Sequence, residues 1–202
     1  MAGQEELEGT TFTAMRQASR EDYLKIGQHS LAYFNELPRR VLKHLEILAG
    51  DTGGYAVDRL THSLQSATRA QRDGRDDEYV ACALLHDIGD TLACTNHAQL
   101  AATVLEPFVS EKNHWIVEHH GIFQGYYFFH HLGLDRDMRD RFRDHPHWKD
   151  CAEFCEKYDQ NSFDPAYDTL PLEHFEPLVA TVFADDPFRE FSWSEASGSP
   201  FS

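Results

Sequence analysis

The sequence predicts an all-α protein, on three observations. Apolar residues recur at helical spacing in segment after segment, strand-type alternation is nowhere sustained, and no glycine- or serine-rich linker divides the chain. Ser19 followed by Asp22 forms a capping arrangement ahead of Tyr23 and Leu24 and opens a first helix. Pro38 suits the first turn of a second helix, which Gly50 would end. Val57, Leu60, Leu64 and Ala67 mark a third, with Gly74 after it. Asp76 or Asp77 would cap a fourth, EYVACALLHDIG. Further helical patterns run through roughly 97–110, 111–122, 135–144, 147–160 and 172–184. Residues 1–184 are expected to form a single domain. An irregular tail follows over 185–202, from which Phe188, Phe191 and Trp193 can dock on the body.

The composition narrows the function. A chain of 202 residues is long enough for one hydrophobic core, and 41% hydrophobic residues with 14 phenylalanines belong to a globular protein. There are 34 acidic against 18 basic side chains, a net charge of -16. Such a surface repels phosphate backbones, so no nucleic-acid partner is expected. A small anion is still compatible, because bound divalent cations would invert the local charge. The opening MAGQEELEG has neither a basic nor an apolar leader region, and no stretch reaches the apolar length of a membrane span. Cys82, Cys94, Cys151 and Cys155 form no disulfide or zinc-ribbon pattern; Cys151 and Cys155, one helical turn apart, read as packing. The expectation is a soluble, cytoplasmic protein with no membrane partner.

Chemistry concentrates at histidines and aspartates. The segment Ala81-Cys82-Ala83-Leu84-Leu85 is apolar all round and therefore expected to be buried all round, yet it runs into His86, Asp87 and Asp90. A buried carboxylate needs a partner, and a metal cation is an efficient one for imidazole and carboxylate together. The plain alternative is a pair that caps a helix end. His62 lies about 160° around its helix from Leu64, which places it either in solvent or against a second buried surface. His97 starts an amphipathic helix, His119 and His120 follow Trp115-Ile116-Val117, and Asp159 ends an aromatic-containing one. Each alone can be a surface residue. Their order, H…HD…H…H…D, is the signal.

That order resembles the HD-domain superfamily, whose signature is H…HD…D, over roughly residues 55–165, with THSLQ, ALLHDIGD and KYDQNSF as its carriers. The resemblance implies an HD-domain helical bundle. It also implies that His62, His86, Asp87 and Asp159 bind one metal, while Asp87 bridges to a second held by His97 and His120. His119 competes with His120 for that role; the family's Glu-x-His pattern falls on Glu118-His119-His120 and favours His120.

The wider pattern of THSLQSA, ALLHDIGD and VEHHGIFQGYYFF is similar to the mixed-valence diiron oxygenases of this superfamily, which include myo-inositol oxygenase and 2-amino-1-hydroxyethylphosphonate dioxygenase. What this implies is two iron ions of mixed valence, Fe2+/Fe3+, and a small-molecule phosphonate with O2 as co-substrate. The implied reaction is oxidative C–P cleavage of (R)-1-hydroxy-2-(trimethylammonio)ethylphosphonate to glycine betaine and phosphate. The aminophosphonate-cleaving relative carries His where this chain has Asp90, and Lys where it has Gln124. Both departures remove positive charge, which suits a permanently cationic substrate. A trimethylammonium group is held over aromatic faces, so at least two of Tyr55, Tyr126, Tyr127 and Tyr158 are expected to line the pocket, although any one ring can equally belong to the core. Arg141, Arg143, Lys157 and His131 are candidates for the phosphonate; DRDMRDRFRDH also reads as an exposed helix laced with ion pairs. Gln160 and Ser162 can donate hydrogen bonds to substrate. Two other readings stand beside the oxygenase: a metal-dependent HD phosphohydrolase of a nucleotide or phosphate monoester, and a non-catalytic ligand-sensing HD module, which the lack of a visible output segment disfavours.

Overall fold

The computed structural model describes residues 9–184, so the tail over 185–202, with Phe188, Phe191 and Trp193, lies outside the described residues. The chain divides into two compact units, one containing residues 9–38 and the other 39–184. Among the described residues every regular element is helical. None of these helices is long and apolar enough to cross a membrane.

The first unit carries α1 (Arg20–Asn35). The Ser19 hydroxyl accepts from the Asp22 amide at 3.2 Å and the Asp22 carboxylate accepts from the Ser19 amide at 2.8 Å, the capping box that the sequence predicts. α2 (Leu37–Leu45) leads into the second unit and ends in a 3-10 turn, with Gly50 beyond it at a φ of 87°.

The second unit is built from α3 (Arg59–Arg72), α4 (Asp77–Leu85), α5 (His97–Leu105), α6 (Glu111–Phe128), α7 (Trp148–Phe154) and α8 (Leu172–Val182). The starts of α3, α4 and α6 are fixed by side-chain caps. Asp58 accepts from the Thr61 amide at 2.7 Å with one carboxylate oxygen and from the Gly50 amide at 2.9 Å with the other. Asp76, not Asp77, caps α4 through the Tyr79 amide at 2.8 Å. Gly74, at a φ of 77°, supplies the left-handed turn between α3 and α4. α4 is the axis of the unit: every residue from Tyr79 to Leu85 is buried, as its all-apolar sequence requires. It packs on α3, α6 and α8, and α6 packs in turn on α5 and α7.

Three stretches depart from the expected helices. Residues 135–144 form a short 3-10 turn, Met138–Phe142, because the Asp135 side chain accepts from the Asp137 amide at 2.9 Å and diverts the backbone. α6 runs six residues past the expected end at 122. Gly125 permits this, since a Cβ there would meet the Phe129 ring at 2.3 Å. The segment 147–160 divides into α7 and a π-helical turn, Cys155–Asp159, in which the Gln160 amide returns to the Cys155 carbonyl at 3.0 Å. One extra residue in a helical turn advances the side chains after it by about 100° around the axis. Tyr158 and Asp159, adjacent in this turn, point to different surfaces, as described below.

Candidate metal centre

The six residues singled out by pattern converge in the second unit. α3 supplies His62, the end of α4 His86 and then Asp87, the first residue of α5 His97, α6 His120, and the π turn Asp159. Asp87 stands between two histidine pairs. Its Oδ2 lies 3.4 Å from the Nε2 atoms of both His62 and His86, and its Oδ1 lies 3.3 Å from Nε2 of His97 and 3.1 Å from that of His120. Asp159 Oδ1 adds to the first pair, 3.3 Å from His62 Nε2 and 3.9 Å from His86 Nε2. Within each pair the Nε2 atoms face each other, at 3.2 Å for His62 and His86 and 3.3 Å for His97 and His120.

The outer faces of these rings explain why Nε2 points inward. His62, His86 and His120 each donate from Nδ1 to a backbone carbonyl, those of Ser162 (3.0 Å), Ala83 (2.9 Å) and Val117 (2.7 Å). A neutral ring that donates from Nδ1 carries its lone pair on Nε2, the metal-binding tautomer. Two such lone pairs at 3.2 Å repel unless a proton or cation lies between them. The Asp159 Oδ2 atom is buried and has no hydrogen-bond partner, a costly state for a carboxylate oxygen that a cation relieves. Ligating atoms of His62, His86 and Asp159 all lie within 4.8 Å of one another, as do those of His86, Asp87 and His120. Buried imidazoles and carboxylates in this arrangement fit a metal ion of the first transition row.

The charges agree. Burial alone would lower the His62 pKa, but hydrogen bonds and charge from Asp159 and Asp87 raise it to about 10. Asp87, for which burial works in the opposite sense, is held well below the carboxylate range by the charge of His86 and hydrogen bonds from His120, His62 and His86. His120 is raised, Asp87 outweighing burial. The carboxylates thus draw positive charge onto the Nε2 atoms, and protons and metal ions compete for it.

His119 is outside the cluster. It stacks on Trp115 at 4.2 Å, and its Nδ1 is 3.0 Å from the Trp115 carbonyl. We expect His120→Ala to lose bound metal while His119→Ala retains it, which metal analysis of the two purified variants would read directly; the reverse pattern would reassign the ligand.

A cavity of about 340 Å³ opens onto the cluster. Tyr55 and Tyr127 line it, as do Asp90, Gln124 and Gln160. Tyr126, Tyr158 and Ser162 do not. The Tyr126 ring is covered by the guanidinium groups of Arg136 and Arg139, at 4.1 and 3.6 Å. Tyr158 is buried against Tyr79 and Phe154, and its hydroxyl meets Asp73 at 2.5 Å and Arg75 at 2.7 Å. The Ser162 hydroxyl is spent on the Tyr158 carbonyl, and Ser162 serves the site through its own carbonyl under His62. Gln124 donates to Asp159 Oδ1 at 3.0 Å and so orients a cluster carboxylate. Asp90 is bound by the Arg59 guanidinium, which also lines the cavity, so a positive charge stands beside the position where the resemblance implied its removal.

The basic residues expected for an anion also lie elsewhere. Arg141 covers Phe142, Arg143 pairs with Asp140 at 2.7 Å, Lys157 pairs with Glu153 at 2.9 Å, and the His131 ring lies tilted against His130. Lys157, with Arg69 and Arg72, instead lines a second hollow of about 420 Å³, where Arg72 is tied to Asp168 at 2.8 Å. The cation that lines the metal-side cavity is Arg59. Its signal was present in the sequence, since it precedes His62 by three residues and shares that face of the helix. Phe163 is a second residue the pattern missed: its ring stacks on His62 at 4.5 Å and on Tyr55 at 4.8 Å, which joins the cavity wall to a cluster ring. Set against models of known families and against curated proteins, the chain matches none, and its site is read from its own geometry.

Proposed function

We propose that the chain is a two-metal oxygenase of the HD-domain type that cleaves the C–P bond of (R)-1-hydroxy-2-(trimethylammonio)ethylphosphonate. O2 is the oxidant, and glycine betaine and phosphate are the products. The observation that carries this reading is the division of the Asp87 carboxylate between two histidine pairs at the floor of an aromatic-walled cavity. His62, His86 and Asp159 would hold one ion, His97 and His120 the other, and Asp87 both. Two iron ions of mixed valence would supply the redox chemistry and the Lewis acidity toward the phosphonate and its neighbouring hydroxyl.

The chain's own groups do the rest. Tyr55, Tyr127 and Phe128 line the cavity and would offer aromatic surface to a cation that has no N–H to donate, an interaction worth about 0.5–2 kcal/mol per well-placed ring. Gln124 keeps Asp159 turned toward His62. The carbonyls of Ser162, Ala83 and Val117 keep three imidazoles in the ligating tautomer. The protein should be loaded with iron and given the hydroxyphosphonate in air. The expected result is two irons per chain and one O2 consumed for each phosphate released. Phosphate release from a phosphate monoester with zinc or manganese and without O2 would replace this reading with a phosphohydrolase.

A further inference from the structure

The four imidazoles of the cluster are not held alike. His62, His86 and His120 are buried and each is locked by a backbone carbonyl on Nδ1. For His86 and His120 that carbonyl lies three residues earlier in the same stretch of chain, so the helix itself orients the ring. His97 has no such anchor. It is the first residue of α5, its side chain is 26% exposed, and the Asn96 cap before it contributes no side-chain hydrogen bond. No backbone group holds its Nδ1. What faces that atom is Asp90 Oδ1, at 3.3 Å, close enough for electrostatic contact although not aligned as a hydrogen bond.

Asp90 is held in turn. Its other oxygen is bound by Arg59 Nη1, and only a tenth of its side chain is exposed. Arg59 belongs to the first turn of α3, one turn before His62, and is therefore fixed to the helix that carries the first histidine pair. The loop before it leaves the guanidinium just enough room, since a Cβ on Gly53 would approach Arg59 Nη2 to 2.8 Å. A carboxylate nine-tenths buried needs a partner, and Arg59 is the one that holds it. With Arg59 on one oxygen, Asp90 presents the other to His97.

We propose that Asp90, clamped by Arg59, is a positioning residue that sets the affinity of the second metal position, formed by His97, His120 and Asp87. This rests on the two-metal reading above. A carboxylate beside Nδ1–H turns the ring toward the ion and strengthens Nε2 as a donor. The two positions are therefore unequal by construction. The first is made from buried ligands fixed by the backbone. The second depends on a side-chain ion pair in the cavity wall.

The test uses cobalt(II) added to the full-length metal-free chain, with visible absorbance and calorimetry reporting each binding step. The natural chain should take up two ions. Asp90→Asn should weaken the second step by about 10–100-fold and leave the first within about twofold, the range seen when such an outer carboxylate is removed from a metal-bound histidine. Asp90→Glu should restore part of the loss. Arg59→Gln should weaken the second step by a smaller factor, and it gives the same reading should Asp90→Asn fail to fold. The double variant should be no worse than Asp90→Asn alone, because both act through one contact. Two ions bound with an unchanged second step in Asp90→Asn, or equal loss at both steps, would overturn the proposal and leave the two-metal reading standing. A natural chain that binds a single ion would overturn both.

Discussion

Asp87→Ala should empty both metal positions at once, with affinity falling by more than about 100-fold at each, because even outer groups that merely orient a ligand contribute about 10–100-fold. No other residue of the cluster has this reach. His62 and His86 share one of its oxygens and His97 and His120 the other, so its removal takes a ligand from each side and the negative charge from between. Asp87→Asn should behave similarly: it keeps the shape and loses the charge that offsets two cations. Elemental analysis after loading and desalting would measure the effect, with circular dichroism to show that the helices persist. A variant that keeps two ions, or that keeps turnover when metal-replete, would refute the bridging role.

The second large effect is expected from a residue with no ligating atom. A Cβ added at Gly89 would lie 2.6 Å from the His97 carbonyl oxygen, 3.0 Å from His97 Cα and 3.1 Å from the Leu100 side chain. Two of these three neighbours are backbone, so a rotamer change cannot relieve the clash. Gly89→Ala must push the start of α5 away from the α4 turn, at a cost of about 1–3 kcal/mol for overpacking. The same displacement carries His97 away from Asp87. The expected variant unfolds at lower denaturant concentration and holds one ion instead of two. Unchanged denaturation and an intact second position would show that α5 can yield without moving its histidine.

These contacts also show which parts of the molecule were legible in the sequence. Capping chemistry was: Ser19, Asp22 and Asp76 stand where hydroxyl and carboxylate side chains meet free amides. The convergence of His62, His86, Asp87, His97, His120 and Asp159 followed a pattern of residue types, which is robust because cation-binding groups buried together must come as a set. Which aromatic rings face the cavity was half-legible. Tyr127 stands seven residues after His120, two helical turns on, while Tyr126 is turned about 100° from it; periodicity alone could have separated them. The same holds for Tyr158 and Asp159, adjacent in the π turn, which point to different surfaces as neighbours on any helical turn do. The pairing of Asp90, which does line the cavity, was not legible. Its acidity was visible, but the arginine that pairs with it lies 31 residues away, and only the packing of α3 against the α4 turn brings the two together.

α4 has no side in contact with water from Tyr79 to Leu85, and His86 and Asp87 are mounted at its tip. A rod enclosed on every side cannot fray locally without opening the whole unit, so these two residues share the fate of the global fold. The inner half of the centre is accordingly the enclosed half. Traffic of ions, and any adjustment to an incoming molecule, falls to the side where α5 begins.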